Sequence, residues 1–429
     1  HFTDKFSECQ EAPVNISRFH CCNLTPPVTF AIFQQFKALL SWLLMKGRDY
    51  PVARKIFGSV VIILLLLYLL TLVLHISDNY DKYLWDFQTH REAGKIFASG
   101  SNPYDAENLP PNVRTQFLYT YPPATLFFYR LFALTDYKTA AHVFLIVKCL
   151  LLIGLVFYWK REFLKEDADP LFYIFCLLVF NSAVFLDMIA GNINLVEQAL
   201  LWVAFGFFIK KRLVPFCIFV LIAAGFKMTP TFFIILVLLT DDINKYKLFI
   251  GSAGAFLAYL LIQYVILPEY FTGFIKNALT VVGEPGQVGP STLKFVRAFF
   301  KVIGDITGIV PPEGIQLAIV GLMISGVVYL TYRATIRLKG GEIPNREITE
   351  VFLVCLLYAL IHPRMKDYMY LLLIVPSYHV IKNTRFTRLA PFLFILFIFS
   401  ADRLHLPIFS SMMTLIWAYY PLLIAYCVW

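Results

Sequence analysis

Charged side chains are scarce in this chain: Asp, Glu, Lys and Arg make up 15% of its 429 residues, where a soluble protein carries about 25%. With 59% of the residues hydrophobic, that shortfall excludes both an ordinary soluble domain and a disordered one. Metal-ligand spacing is missing as well. The eight cysteines are scattered, and Cys149, Cys176, Cys217, Cys355 and Cys427 lie inside apolar runs, where cysteine behaves as a small hydrophobe. Cys21 and Cys22 are adjacent, a poor disulfide geometry, and have no second pair with which to hold zinc. A phosphate-cradling Gly-rich loop, an RNA-reading module and a basic helix are absent too. The net charge of +9 is therefore read through membrane topology and not as a nucleic-acid footprint. The first apolar run is not expected to be a cleavable signal peptide, because it is too long and lacks a small-residue cleavage site.

What the chain has in excess is apolar length. The run "IFGSVVIILLLLYLLTLVLH" (56–75) carries no acidic or basic residue before its final histidine, and about 20 such residues cross a bilayer as a helix. Further runs lie at 138–158, 171–188, 194–209, 213–226, 229–240, 247–267, 315–335, 349–362, 368–381, 389–401 and 407–427. The expected fold class is all-α: a polytopic membrane protein with about twelve crossings. Some runs are too short for a full span and are expected to be re-entrant or broken helices. Basic clusters at Lys46/Arg48/Arg54/Lys55, Lys160/Arg161/Lys165, Lys210/Lys211/Arg212, Lys245/Lys247, Arg333/Arg337/Lys339 and Lys382/Arg385/Arg388 fall on one face with that count. The positive-inside rule makes this face, and both termini, cytoplasmic. Aromatics at 17% suit interfacial belts.

Residues 1–44 differ in character from the rest of the chain, while "MKGRDYPVARKIFG" from Met45 reads as a basic flank before a first span. The expectation is an N-terminal extension of no mechanistic importance over 1–44 and one transmembrane domain over 45–429. The sequons at Asn15 and Asn23 fall in the extension and carry no weight.

The opposite, outer face receives the longer loops, 76–137 and 268–314, and the polar turns. In the first loop "DFQTHREAGKIFASGSNPYD" predicts a short amphipathic helix over about 85–98, ending at Gly100. Asp86 and His90, four apart, share a face. A carboxylate at a bilayer boundary is a functional candidate, although Asp86, Asp78 and Asp81 taken alone also suit ordinary solvating groups. "YPPATLFFYRLFALT" (121–135) is too short to span and predicts an interfacial helix. In the second long loop, "GEPGQVGPST" predicts a mobile cover. Asp187, Asn192, Asn194 and Glu197 gather around one outer turn. Lys227 stands alone at another, His362, Arg364, Lys366 and Asp367 at a third, and Arg403 and His405 at a fourth. Each is by itself a polar turn between spans. Together they place several cations and few metal-ligand sets on one face, the chemistry of an anion site, a phosphate for preference, beside a carboxylate.

The segments "DFQTHREAGKIFASGSNPYD", "YTYPPATLFF", "GNINLVEQALL", "FKMTP" and "HPRMKDYMYLLLIVP" occur in that order, and the pattern resembles glycosyltransferase family 87 from about residue 56 to 429. The resemblance implies a GT-C fold and a membrane glycosyltransferase that uses a polyprenyl-phosphate-linked sugar without a metal or other cofactor. It implies inverting transfer outside the cytoplasmic membrane, with Asp86 at the position of the family's general base. Mannose is the family's commonest sugar, with arabinofuranose behind it. Donor-phosphate contacts are then expected from Lys227, Arg364 and Lys366, Arg364 being best suited to a bidentate contact. His362 and His90 would orient sugar or phosphate, Asn192 and Asn194 would meet sugar hydroxyls, and Tyr121, with Tyr104, would stack on a sugar ring. The expected partners are the lipid-linked donor, a glycolipid or glycan acceptor and the bilayer, with no nucleic acid. The rival readings are a secondary transporter or lipid flippase, and a non-enzymatic assembly partner. A transporter should show internal repeats and mid-span polar residues; no repeat is seen, and the ionisable groups are expected at one edge.

Overall fold

The computed structural model describes residues 51–80, 82–110, 118–165, 169–283, 289–341, 345–383, 393, 415, 416 and 418–429. All of them belong to one compact unit, helical with no β-strand among the described residues. The helices are α1 Pro51–Asp78, α2 Trp85–Ala98, α3 Ala124–Ala133, α4 Tyr137–Trp159, α5 Pro170–Ala190, α6 Asn194–Ile209 and α7 Leu213–Phe226. A 3-10 segment, Thr229–Ile235, then runs into the single turn α8 Leu236–Leu239. Next come α9 Lys245–Ile266, α10 Pro268–Gly283, α11 Thr292–Thr307, α12 Glu313–Gly340 and α13 Arg346–Ile361. A second 3-10 segment, Asp367–Leu373, leads into α14 Ile374–Asn383, and α15 Tyr420–Val428 is last.

The first ten apolar runs all coincide with these helical segments. The run 389–401 and much of 407–427 lie outside the described residues, as do the extension 1–44 and the turn holding Arg403 and His405. Among the described residues, four helices are long and apolar enough to cross a bilayer unaided: Ile56–Asp78, Tyr137–Leu164, Lys245–Ile266 and Glu313–Gly340. Their outward side chains, among them Ile63, Leu64, Leu257, Leu261, Leu322 and Leu330, are exposed, which only a lipid surround makes favourable. A fifth candidate is α5, whose halves Pro170–Phe180 and Ser182–Ala190 meet at 59°. Broken helices are expected among the shorter runs; the bend falls instead in the full-length run 171–188, with Phe180 and Ser182 at positive φ beside it. Four or five self-sufficient spans stand against the expected twelve because helices such as Asn194–Ile209, Leu213–Phe226 and Thr229–Leu239 are apolar but short.

The outer loops are more structured than the composition suggested. The helix expected near 85–98 is α2, and "YPPATLFFYRLFALT" holds α3. The 268–314 loop contains two amphipathic helices, α10 and α11, on either side of 284–288, which lie outside the described residues. Ser291 caps α11 by accepting from the amide of Lys294. From α10, Asn277 donates to the carbonyls of Tyr104 (2.9 Å) and Tyr119 (3.2 Å), and Phe274 enters a core with Ala93, Tyr104, Tyr119 and Leu126. Helix α10 is thereby tied to the first loop, while the centre of the expected cover, 284–288, lies outside the described residues.

Two glycines set where α2 sits. Gly94 brings α2 against the backbone of α3: a Cβ there would lie 2.7 Å from the carbonyl carbon of Tyr129. Gly191 ends α5 in the left-handed region (φ 66°), and a Cβ on it would stand 2.8 Å from the Cβ of Phe87. At the same junction the amide of Leu84 donates to the carbonyl of Ile189 at 2.7 Å. The first turn of α2 is thus docked on the turn between α5 and α6. Arg91 reaches no headgroup: it is buried, and donates to the carbonyls of Phe132 (3.2 Å) and Thr135 (2.5 Å) at the C-terminal end of α3. Gly191→Ala combines a left-handed alanine, a penalty of roughly 1–2 kcal/mol, with that overlap, and is expected to lower the thermal unfolding temperature and glycosyl transfer together.

Candidate active site

Asp86 is the second residue of α2 and Asn192 lies just past the helix-ending Gly191, so the docking of these two elements makes the side chains meet. The amide nitrogen of Asn192 donates to Asp86 Oδ2 at 2.6 Å, with the Tyr121 hydroxyl at 3.2 Å and the Tyr368 hydroxyl at 3.1 Å as its other acceptors. Its Oδ1 accepts from the Asn194 amide at 2.9 Å and from Lys227 Nζ at 3.1 Å. This pattern fixes the orientation of the carboxamide, because the opposite one would turn its oxygen onto a carboxylate. Asn194 donates to the carbonyl of Tyr368 at 2.9 Å, tying the 366–368 stretch to the start of α6. No hydrogen bond reaches Asp86 Oδ1 among the described residues.

Lys227 stands at the end of α7, where Pro230 near the start of the next 3-10 segment helps to turn the chain. It pairs with the buried Glu197 at 3.4 Å and lies over the rings of Tyr121 (5.9 Å) and Tyr368 (5.5 Å). Lys366 lies over the other side of the group, 5.6 Å from the Tyr368 ring centre. Burial lowers the Lys366 ammonium below its ordinary range, and the Asp86 carboxylate opposes that shift. Arg364 and His362 are less directly joined. The Arg364 amide donates to His362 Nδ1 at 3.2 Å, and its guanidinium has no hydrogen-bond partner among the described residues. Burial, with the charges of Lys227 and Arg364, depresses His362 to about 4.

His90 is buried one turn beyond Asp86 in a cage of aromatic rings, 4.4 Å from Tyr121, 4.7 Å from Tyr129 and 5.7 Å from Tyr119 between ring centres. Neither ring nitrogen has a hydrogen-bond partner among the described residues, and the hydroxyl of Tyr129 has none there either. Burial pushes His90 down to about 3 against the opposing pull of Asp86, so it is neutral at physiological pH. Tyr104 stacks on no open surface: it is buried, with its hydroxyl donating to the carbonyl of Tyr121 at 2.5 Å.

Nearly all the expected site residues therefore converge, with Arg364 and His362 at the margin. The sequence reading missed Tyr368 and Lys148. Lys148 sits halfway along α4 and reaches the same turn, donating to the carbonyls of Asp187 (2.5 Å) and Asn192 (2.9 Å) and pairing with Asp187 Oδ2 at 2.7 Å. It corrects the expectation that ionisable groups sit only at one edge. A lone lysine in the run 138–158 was the signal, since an ammonium in so apolar a helix needs a reason. Tyr368 gave no comparable signal among 24 tyrosines. No three His, Cys, Asp or Glu side chains lie together as a metal site among the described residues.

A carboxylate with one open oxygen, beside cations and unpartnered neutral groups, is suited to taking a proton from a hydroxyl while an anion is held nearby. The family model for glycosyltransferase family 87 matches residues 119–363. The chain belongs to that family. It is accordingly a glycosyltransferase, and its long apolar helices make it a membrane protein. The transporter and assembly-partner readings are set aside. No curated protein and no solved structure matches it. The family 87 match takes in Tyr121, Lys148, Asn192, Asn194, Lys227 and His362, while Asp86 and His90 precede it and Arg364 and Lys366 come after it.

The depressed histidines make stability depend on pH. An unfolded chain binds protons at its histidines below about 6.5, whereas His90 in the folded protein stays neutral down to about 3. Stability is then full above the unfolded value and is lost as pH falls below it. The thermal unfolding temperature should drop between about pH 6.5 and 4.5. It should drop less steeply in His90→Phe, which keeps the ring in its cage without the titrating group.

Proposed function

We propose that this enzyme transfers a hexose, mannose in our reading, from a polyprenyl-phosphate-linked donor to a glycolipid or glycan acceptor at the outer face of the cytoplasmic membrane. Asp86 is the general base and the reaction inverts the anomeric centre without a metal. The acceptor oxygen bonds to C1 of the sugar as its proton passes to Asp86 Oδ1. The bond from C1 to the phosphate oxygen breaks, and its electron pair leaves with the lipid phosphate. The observation that carries this reading is the pairing of Asp86 Oδ2 with Asn192 at 2.6 Å while Oδ1 has no donor among the described residues. One oxygen holds the carboxylate in place, and the other is open to a hydroxyl.

Lys227, Lys366 and Arg364 would neutralise the leaving phosphate, Arg364 with a guanidinium free to fork onto two oxygens. His90, neutral and unpartnered among the described residues, offers a ring N–H to a sugar hydroxyl, and the hydroxyls of Tyr121 and Tyr368 offer more. Asn192 serves the base more than the sugar. Asn194 holds the loop that carries Lys366, a positioning role in place of the expected sugar contact. We read the whole as a GT-C fold of about twelve crossings, with shorter helices and the bent α5 as interrupted spans and both termini cytoplasmic. The one-sided basic clusters support that topology.

The test supplies purified enzyme in lipid with polyprenyl-phosphate-linked mannose or arabinofuranose and follows transfer to membrane acceptors. Asp86→Asn should accumulate normally and lose about 10²–10⁴-fold in turnover, the range of general-base catalysis. Full activity in that variant removes Asp86 from the mechanism. Lys227→Ala or Arg364→Ala should raise the KM for the lipid-linked donor about 10–100-fold, as expected for a lost contact between charged groups.

A further inference from the structure

We propose that the buried pair of Lys148 and Asp187 is a positioning device for the catalytic carboxylate. It locks the turn between α5 and α6, so that the Asn192 amide meets one oxygen of Asp86 and leaves the other for the acceptor. This rests on the reading of Asp86 as the base. The ammonium of Lys148 has three protons, and three oxygens surround it: the Asp187 carbonyl, the Asn192 carbonyl and Asp187 Oδ2. The two carbonyls lie on either side of Gly191, which interrupts the helix. Residues on both sides of that break have lost the intrahelical bonds that would otherwise fix their spacing. The Asp187 carbonyl is one of the last four of α5, at the negative end of its dipole, where a cation is favoured. Lys148 thus performs from a neighbouring helix what the broken backbone cannot.

A purely structural role would ask only that the two charges neutralise each other, and an apolar pair of similar volume often does as well in a buried position. The second carbonyl argues for more. Asn192 needs no ion pair to be buried, yet the amine reaches its backbone while its side chain meets Asp86 at 2.6 Å, and all of these residues are at least nine-tenths buried. A shift of the turn is therefore transmitted to the base through a single residue, and a misplacement of about 1 Å costs about 100-fold in rate.

The experiment compares wild type with Lys148→Met/Asp187→Leu, reading kcat and KM for the lipid-linked donor, inhibition by free polyprenyl phosphate, and hydrogen exchange over 84–90 and 187–194. The expected result is a kcat lower by about 100-fold, with donor KM and product inhibition within about threefold of wild type, and faster exchange confined to those two segments. Should the apolar pair fail to accumulate, Lys148→Gln/Asp187→Asn, which keeps hydrogen-bonding groups in nearly the same volume, is expected to give the same kcat loss. Near wild-type kcat in either folded double variant overturns the proposal. So does a kcat loss matched by lost product inhibition, which marks general collapse of the site. If wild type itself transfers none of the supplied sugars, the functional reading fails. The exchange measurement then still judges the clamp, and unchanged protection at 187–194 overturns it.

Discussion

The polar end of this enzyme depends on the hydrogen bond between the side chains of Asn192 and Asp86, two residues 106 positions apart that meet at 2.6 Å. A carboxamide has two protons to donate, and three acceptors surround this one. The short bond to Asp86 takes the first proton, and the hydroxyls of Tyr121 and Tyr368 share the second. Both phenols keep their own protons for another acceptor. On its other side Asn192 Oδ1 gathers a backbone amide and a lysine. One residue thereby holds Asp86, orients two phenols and marks the position of a cation.

The cations around the site differ in how much of their charge is already spent. Lys227 faces Glu197 and the Asn192 oxygen, and Lys366 is held over Tyr368 with Asp86 in its field. Arg364 is the one with no side-chain partner among the described residues. The carboxamide of Asn192 stands between Asp86 and Lys227, touching both, so a neutral group separates the carboxylate from the ammonium.

The sequence made the helices legible because each carries its own signal. Apolar length marked the long spans. The amphipathic pattern from Trp85 to Ala98 matches the observed helix at both ends, and three of the four polar turns share the site, the fourth, with Arg403 and His405, lying outside the described residues. What stayed hidden depends on tertiary context. In 268–314 the Gly/Pro-rich centre outweighed the amphipathic patterns on each side, so α10 and α11 read as loop. Asn194 was expected to meet sugar from its side-chain chemistry, and nothing in the sequence marked its contact with a backbone carbonyl 174 residues away. Tyr104 was likewise a surface candidate until Asn277 and Phe274 covered it. The span count exceeded the number of self-sufficient helices because hydropathy measures how apolar a run is and says little about whether it is straight.

The close approach of α2 and α3 also bears on movement. With the backbones nearly touching at Gly94, Arg91 bolting one helix to the end of the other and Phe97 set edge-on against Phe127, the two helices form a single plate that has no hinge of its own. Asp86 and His90 ride on that plate. Asp86 therefore cannot swing aside alone: any motion that displaces it carries His90 and the whole of α3 with it.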